Sequence, residues 1–100
     1  MKYGLSESTV EKICGILARF TEVDRAVLYG SRAKGNYKPG SDIDLTLFGA
    51  NLNAALCATI AEALDDLLLP YFIDLSVFSE LKQPELEAHI NRVGKVFYQR

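Results

Sequence analysis

Gly30-Ser31-Arg32-Ala33-Lys34-Gly35-Asn36-Tyr37-Lys38-Pro39-Gly40-Ser41-Asp42-Ile43-Asp44-Leu45 is the stretch on which the reading of this chain turns. From Asp42 to Phe48 polar and apolar residues alternate, the pattern of a half-buried strand. Side chains two apart in a strand share a face, so Asp42 and Asp44 project together with Cα atoms about 6.6 Å apart. Ile43, Leu45 and Leu47 point the other way, into a core. A buried strand gains nothing from an acidic pair, whereas two carboxylates at this spacing can converge on one or two divalent cations.

Upstream, Arg25 to Tyr29 reads as a short strand ended by Gly30, Ser31 to Lys34 as a helical turn, and Gly35 to Gly40 as a loop. Glycine lets a phosphate approach the backbone, and N–H groups at a helix start attract anions. Ser31 can cap that turn or donate its hydroxyl to a phosphate oxygen. A Gly-Ser step alone carries little weight; its place beside the acid-bearing strand gives it meaning. Between Arg25 and Ser41 the charges are Arg25, Arg32, Lys34 and Lys38, with no acid. A cationic loop leading into an acidic pair suits a polyphosphate with its metal ions. Arg32 and Lys34 fit phosphate neutralisation and solvated surface positions equally well.

Downstream, Asn51 or Asn53 caps a helix whose apolar face is Leu52, Leu56, Ile60, Leu64 and Leu67, stopped by Pro70. Tyr71 to Phe78 is a strand with a single charge, Asp74, between Ile73 and Leu75. A lone acid at a strand centre is costly to bury unless compensated. If this strand lies beside the second, Asp74 joins Asp42 and Asp44 on one open face. Three crowded carboxylates repel one another, and Mg²⁺ shared with phosphates is the ordinary compensation. Two such ions about 3.5–4 Å apart would clamp both oxygens of a phosphoryl displacement.

Val10, Ile13, Cys14, Leu17 and Phe20 mark a first amphipathic helix, capped by Ser6 or Ser8. Pro84 opens a last helix with Leu86, Ile90 and Val93 on its face and Gly94 as C-cap; Lys95 to Tyr98 adds a short strand. The order predicts one α/β (α+β) domain spanning residues 1–100, its helices packed on one sheet face. With 49% hydrophobic residues a core is available, and a net charge of −2 excludes a general nucleic-acid binder. Cys14 and Cys57 lack CxxC spacing and read as small core residues of a reducing compartment. The polar start is not a signal peptide and no apolar run reaches about 18 residues, so a cytoplasmic protein is expected. His89 is expected at the surface without a partner. Tyr29, Tyr37, Tyr71 and Tyr98 are expected in packing or rim positions. Val77, Phe78, Leu81 and Val96 to Tyr98 are expected to complete the core rather than form an assembly surface.

The run Gly-Ser-Arg-x-Lys-Gly-x-x-x-x-x-Ser-Asp-x-Asp-Leu, with the later Ile73-Asp74-Leu75, resembles the polymerase-β-like nucleotidyltransferases, in particular their minimal (MNT) branch. The resemblance covers nearly the whole chain. It implies a mixed sheet flanked by helices, Asp42 and Asp44 binding two Mg²⁺, and Asp74 as a third carboxylate near the attacking group. Gly30 and Ser31 would hold the β- and γ-phosphates of ATP or another nucleoside triphosphate, with Arg32 and Lys34 nearby. The implied reaction is attack by an acceptor hydroxyl on the α-phosphorus, releasing pyrophosphate.

Larger relatives add helical parts that grip DNA or a drug; the short stretch after Asp74 leaves no room for them here. MNT domains of this size pair with a helical protein of the HEPN class, several as antitoxins that adenylylate a toxin tyrosine. The resemblance therefore implies a protein adenylyltransferase and a hetero-oligomer, with a homodimer open for the chain alone. Two alternatives stand beside it: transfer to a small molecule in a pocket completed by a second subunit, and a non-catalytic interaction module.

Overall fold

The computed structural model describes all residues, Met1–Arg100. Four strands, β1 (Arg25–Tyr29), β2 (Ile43–Phe48), β3 (Ile73–Val77) and β4 (Lys95–Gln99), make one mixed sheet in the spatial order β3-β2-β1-β4. β1 runs antiparallel to both β2 and β4, while β3 lies parallel to β2. A parallel pair needs a crossover, and the helix α3 (Ala54–Asp65) supplies it. The other helices are α1 (Glu7–Ala18), the five-residue α2 (Gly30–Lys34) and α4 (Pro84–Val93).

Local signals place these elements. Ser6, not Ser8, caps α1, its hydroxyl accepting from the Thr9 N–H at 3.1 Å. Asn53, not Asn51, caps α3 by accepting from the Leu56 N–H at 2.8 Å. Each cap satisfies a backbone donor that the first helical turn would leave open. Pro84 takes the first position of α4, where its missing N–H is not needed.

The main core lies on one sheet face. Ile43, Leu45 and Leu47 of β2, with Ala26 and Leu28 of β1, pack under Ile13 and Leu17 of α1 and Ile60 and Leu64 of α3. The opposite face is covered too, which corrects the expectation of helices on one side only. Ile90 of α4 packs on Val27 and Tyr29 of β1, fringed by Phe48, Phe78, Leu81 and Leu86. The reason is visible in β1: Ala26, Val27, Leu28 and Tyr29 are all buried, as in a strand covered on both faces. Of the apolar residues near the rim, Val77 and Phe97 are buried in the core, and Val96 stays more than half exposed. Cys14 and Cys57 are both free thiols, half-buried against the core.

Gly94 joins α4 to β4 with φ −59°, so it is not the left-handed cap that its position implies. Space is what requires glycine: a Cβ there would run into the Ile90 carbonyl oxygen and lie 2.7 Å from Val27 Cγ1. Gly94→Ala is therefore expected to lower stability by about 1–3 kcal/mol through overpacking, read as a reduced urea midpoint with an unchanged slope.

Candidate active site

Strand register brings the acids together. Asp44 of β2 is the direct Cα partner of Asp74 of β3 and of Tyr29 of β1. Directly paired residues on adjacent strands share a face, and two pairs further along Ser76 donates to the Thr46 hydroxyl at 3.0 Å on that same face. Asp42 lies two residues before Asp44 and is exposed, as is Asp74; Asp44 is half-buried. The three acids sit where β1 ends and β2 and β3 begin.

Their mutual electrostatics show the crowding. Burial raises the Asp44 carboxyl above its ordinary value, and Asp74 and Asp42 push it further the same way. The Tyr29 phenol is raised as well, chiefly by burial and further by Asp74 and Asp44, with Ser76 acting against them. No three acidic, histidine or cysteine side chains already converge into a chelating cluster. The donor chemistry nevertheless fits a hard divalent cation: carboxylate oxygens from two strands, with open space above them and unrelieved repulsion between them.

The Gly30-Ser31 turn lies at the same edge, directly after Tyr29. Gly30 has φ +74°, a left-handed conformation that favours glycine, and a Cβ there would run into Asp44 Oδ2. The turn and the central acid are thus in contact. Tyr29 rather than Ser31 occupies the N-cap position of α2, and no side chain caps that helix. Ser31 is half-buried and Lys34 exposed in its last turn.

Arg32 has a different place. It is 2% exposed, and its guanidinium donates to the carbonyl oxygens of Tyr3 (2.8 Å), Ser41 (2.8 and 3.0 Å) and Pro39 (3.3 Å). The rings of Tyr37 and Tyr71 flank it at 5.3 and 4.9 Å. Neither of the two expected roles, phosphate neutralisation or a solvated surface charge, fits these contacts; Arg32 ties the N-terminal turn to the loop that delivers Asp42. The planar fork of arginine suits several carbonyls at once, which a lysine cannot reproduce.

Two residues of the site went unrecognised in the sequence. His89, expected at the surface without a partner, is half-buried on α4, and its Nε2 accepts from the Gly30 N–H at 3.2 Å. Its ring meets Tyr29 edge-on, with centroids 6.2 Å apart at 82°. Tyr29 itself is buried beside Asp44, its direct partner on β2. Its position just before Gly30 was the available signal; for His89 there was none short of the tertiary fold.

A family model described as polymerase beta, nucleotidyltransferase, matches residues 11–100. Among solved structures, a toxin–antitoxin complex with AMP-PNP aligns at TM-score 0.71 and 22% identity, covering 96% of this chain and 75% of its own. A Shewanella oneidensis MNT antitoxin, solved with its tri-AMPylated HEPN toxin, aligns at TM-score 0.71 and 19% identity, covering 96% and 74%. A Sulfolobus solfataricus chain provisionally assigned as a nucleotidyltransferase aligns at TM-score 0.52 and 17% identity, covering 97% and 92%. At these identities the structures establish a shared fold. No curated protein sequence matches.

Two outcomes follow from the site geometry. Arg32→Lys is expected to lose about 2–3 kcal/mol of stability in urea unfolding, because the carbonyls of Tyr3, Pro39 and Ser41 lose a shared donor. For Asp44 the sign is set by its raised pKa: the folded chain holds this proton more tightly than the unfolded one, so stability falls as pH rises through the folded value. Asp74→Asn removes one repulsive charge. Thermal melting should place this variant above the wild type near about pH 7, with the gap closing towards about pH 4.

Proposed function

The chain belongs to the polymerase beta nucleotidyltransferase family, and we propose that it transfers AMP from ATP to a tyrosine hydroxyl of a helical HEPN-type partner, acting as the antitoxin of the pair. The observation that carries this reading is the Asp44–Asp74 pairing in register, with Asp42 one strand step away and the Gly30-Ser31 turn against Asp44. The kinship in fold to an MNT antitoxin solved with its AMPylated toxin supports the choice of acceptor. The fold shared with an AMP-PNP complex supports the choice of nucleotide.

In this reading Asp42, Asp44 and Asp74 hold Mg²⁺, two ions in all. When bound, the metal neutralises charge on the triphosphate and on the three acids. The remaining work falls to the chain. The Ser31 hydroxyl and the backbone N–H groups of α2 from Ser31 onward orient the β- and γ-phosphates, and Lys34 supplies a mobile positive charge at their edge. Asp74, exposed on the outermost strand, accepts the proton of the incoming hydroxyl. The acceptor oxygen bonds to the α-phosphorus as the bond to the bridging oxygen breaks, and pyrophosphate departs. Catalysis of this kind rests on positioning and charge stabilisation.

No helix of the chain is long and apolar enough to cross a membrane, and we place the reaction in the cytoplasm, where ATP and Mg²⁺ are plentiful.

Incubation with α-labelled ATP, Mg²⁺ and a candidate HEPN-type partner protein tests the proposal. Label on a partner tyrosine is expected, falling by at least about 10²-fold in Asp42→Ala, Asp44→Ala and Asp74→Asn. Asp74→Asn should retain most Mg-nucleotide binding. Label appearing on a small acceptor, or toxin neutralisation surviving loss of both Asp42 and Asp44, would contradict it.

A further inference from the structure

The strongest unassigned contact in the molecule joins α4 to the phosphate-binding turn. His89 and Gly30 lie far apart in sequence, yet His89 Nε2 accepts the Gly30 N–H at 3.2 Å. Accepting through Nε2 fixes the neutral tautomer that carries its proton on Nδ1. The ring is steadied edge-on by Tyr29, the residue before Gly30, and by its neighbour Ile90, which is buried against Tyr29 and Val27. Gly30 needs such a fixture. Its φ of +74° is freely left by glycine, α2 is a single short turn, and no side chain caps it.

We infer that His89 is a positioning residue for nucleotide binding: by taking the Gly30 N–H it locks the left-handed turn that aims Ser31 at the triphosphate and holds that turn against Asp44. With the Gly30 donor occupied, the phosphates are received by Ser31 and the N–H groups that follow it. The consequence is that α4, which carries none of the acids, sets affinity for the nucleotide. This inference rests on the nucleotidyltransferase reading above, and specifically on phosphate binding at Gly30-Ser31.

Two substitutions separate the hydrogen bond from simple packing. His89→Gln carries an amide oxygen at nearly the reach of Nε2, so it keeps the acceptor and loses the ring. His89→Phe keeps a ring against Tyr29 and loses the acceptor. Binding of AMP-PNP with Mg²⁺ would be measured by calorimetry on each folded variant, with circular dichroism as the check on folding. The expected order is wild type, then Gln within about threefold, then Phe weaker by roughly tenfold.

In transfer assays the Phe variant should raise KM for ATP more than it lowers kcat. A packing role alone predicts the reverse order, with Phe tolerated and Gln impaired. Equal affinity for Phe and wild type, or a Gln variant as weak as Phe, would overturn the inference while leaving nucleotidyl transfer standing. A wild-type chain that binds no Mg-nucleotide would remove the functional reading, and the inference with it.

Discussion

Repulsion among like charges, held in place by a buried core, is the constraint on which this structure depends. Asp44 and Asp74 are Cα partners on adjacent strands, and strands lie only about 4.8 Å apart. Left to themselves the carboxylates would separate. They cannot, because Ile43, Leu45 and Leu47 are fully buried on the opposite face of β2. Slipping the strand by one residue would turn those side chains out and the acids in. The hydrophobic register thus sustains an electrostatic cost at the other face: the Asp44 carboxyl is raised first by its burial and further by Asp74 and Asp42. In the proposed function, a divalent cation with its polyphosphate would convert that cost into affinity.

The surrounding parts act as struts for this arrangement. Arg32 gathers the carbonyls of Tyr3, Pro39 and Ser41, so the N-terminal turn and the loop before Asp42 move as one body. Gly4 packs here as well, with no room for a Cβ against Tyr37 and Arg32. On the sheet face that carries the acids, α4 places His89 on Gly30 and Ile90 on Tyr29. Residues from the beginning, middle and end of the chain therefore converge on a small acidic edge. This convergence gives so small a domain a site that two strands alone would leave floppy.

Much of this was legible in the residues. The alternation from Asp42 to Phe48 gave the strand and its face, and the lone charge in Ile73-Asp74-Leu75 flagged the third acid. β1 was read with its observed bounds, and Pro84 marked the start of α4. Other features were closed to such reading for physical reasons. Arg32 in a cationic, turn-rich loop looks like a solvent-facing charge, and only tertiary contact shows that its Nε and both terminal nitrogens donate to backbone carbonyls. His89 stands alone in its helix, because its partner is a backbone N–H some distance away in sequence. The second covered face was hinted at by the unbroken apolar run Ala26-Val27-Leu28-Tyr29, which alternation-based reading undervalues. Gly94 was identified as a cap from its position, whereas its real demand is the closeness of Ile90 and Val27.

The account's central claim is that Asp42, Asp44 and Asp74 work as one cation site beside the Gly30-Ser31 turn. Paramagnetic relaxation by Mn²⁺, titrated in the presence of AMP-PNP and followed by NMR on the labelled chain, tests it most directly. The account predicts early, selective broadening of Asp42, Asp44, Asp74, Gly30 and Ser31, saturating at two ions per chain. Broadening that spares Asp74 or centres on the acidic surface of α3 would contradict it.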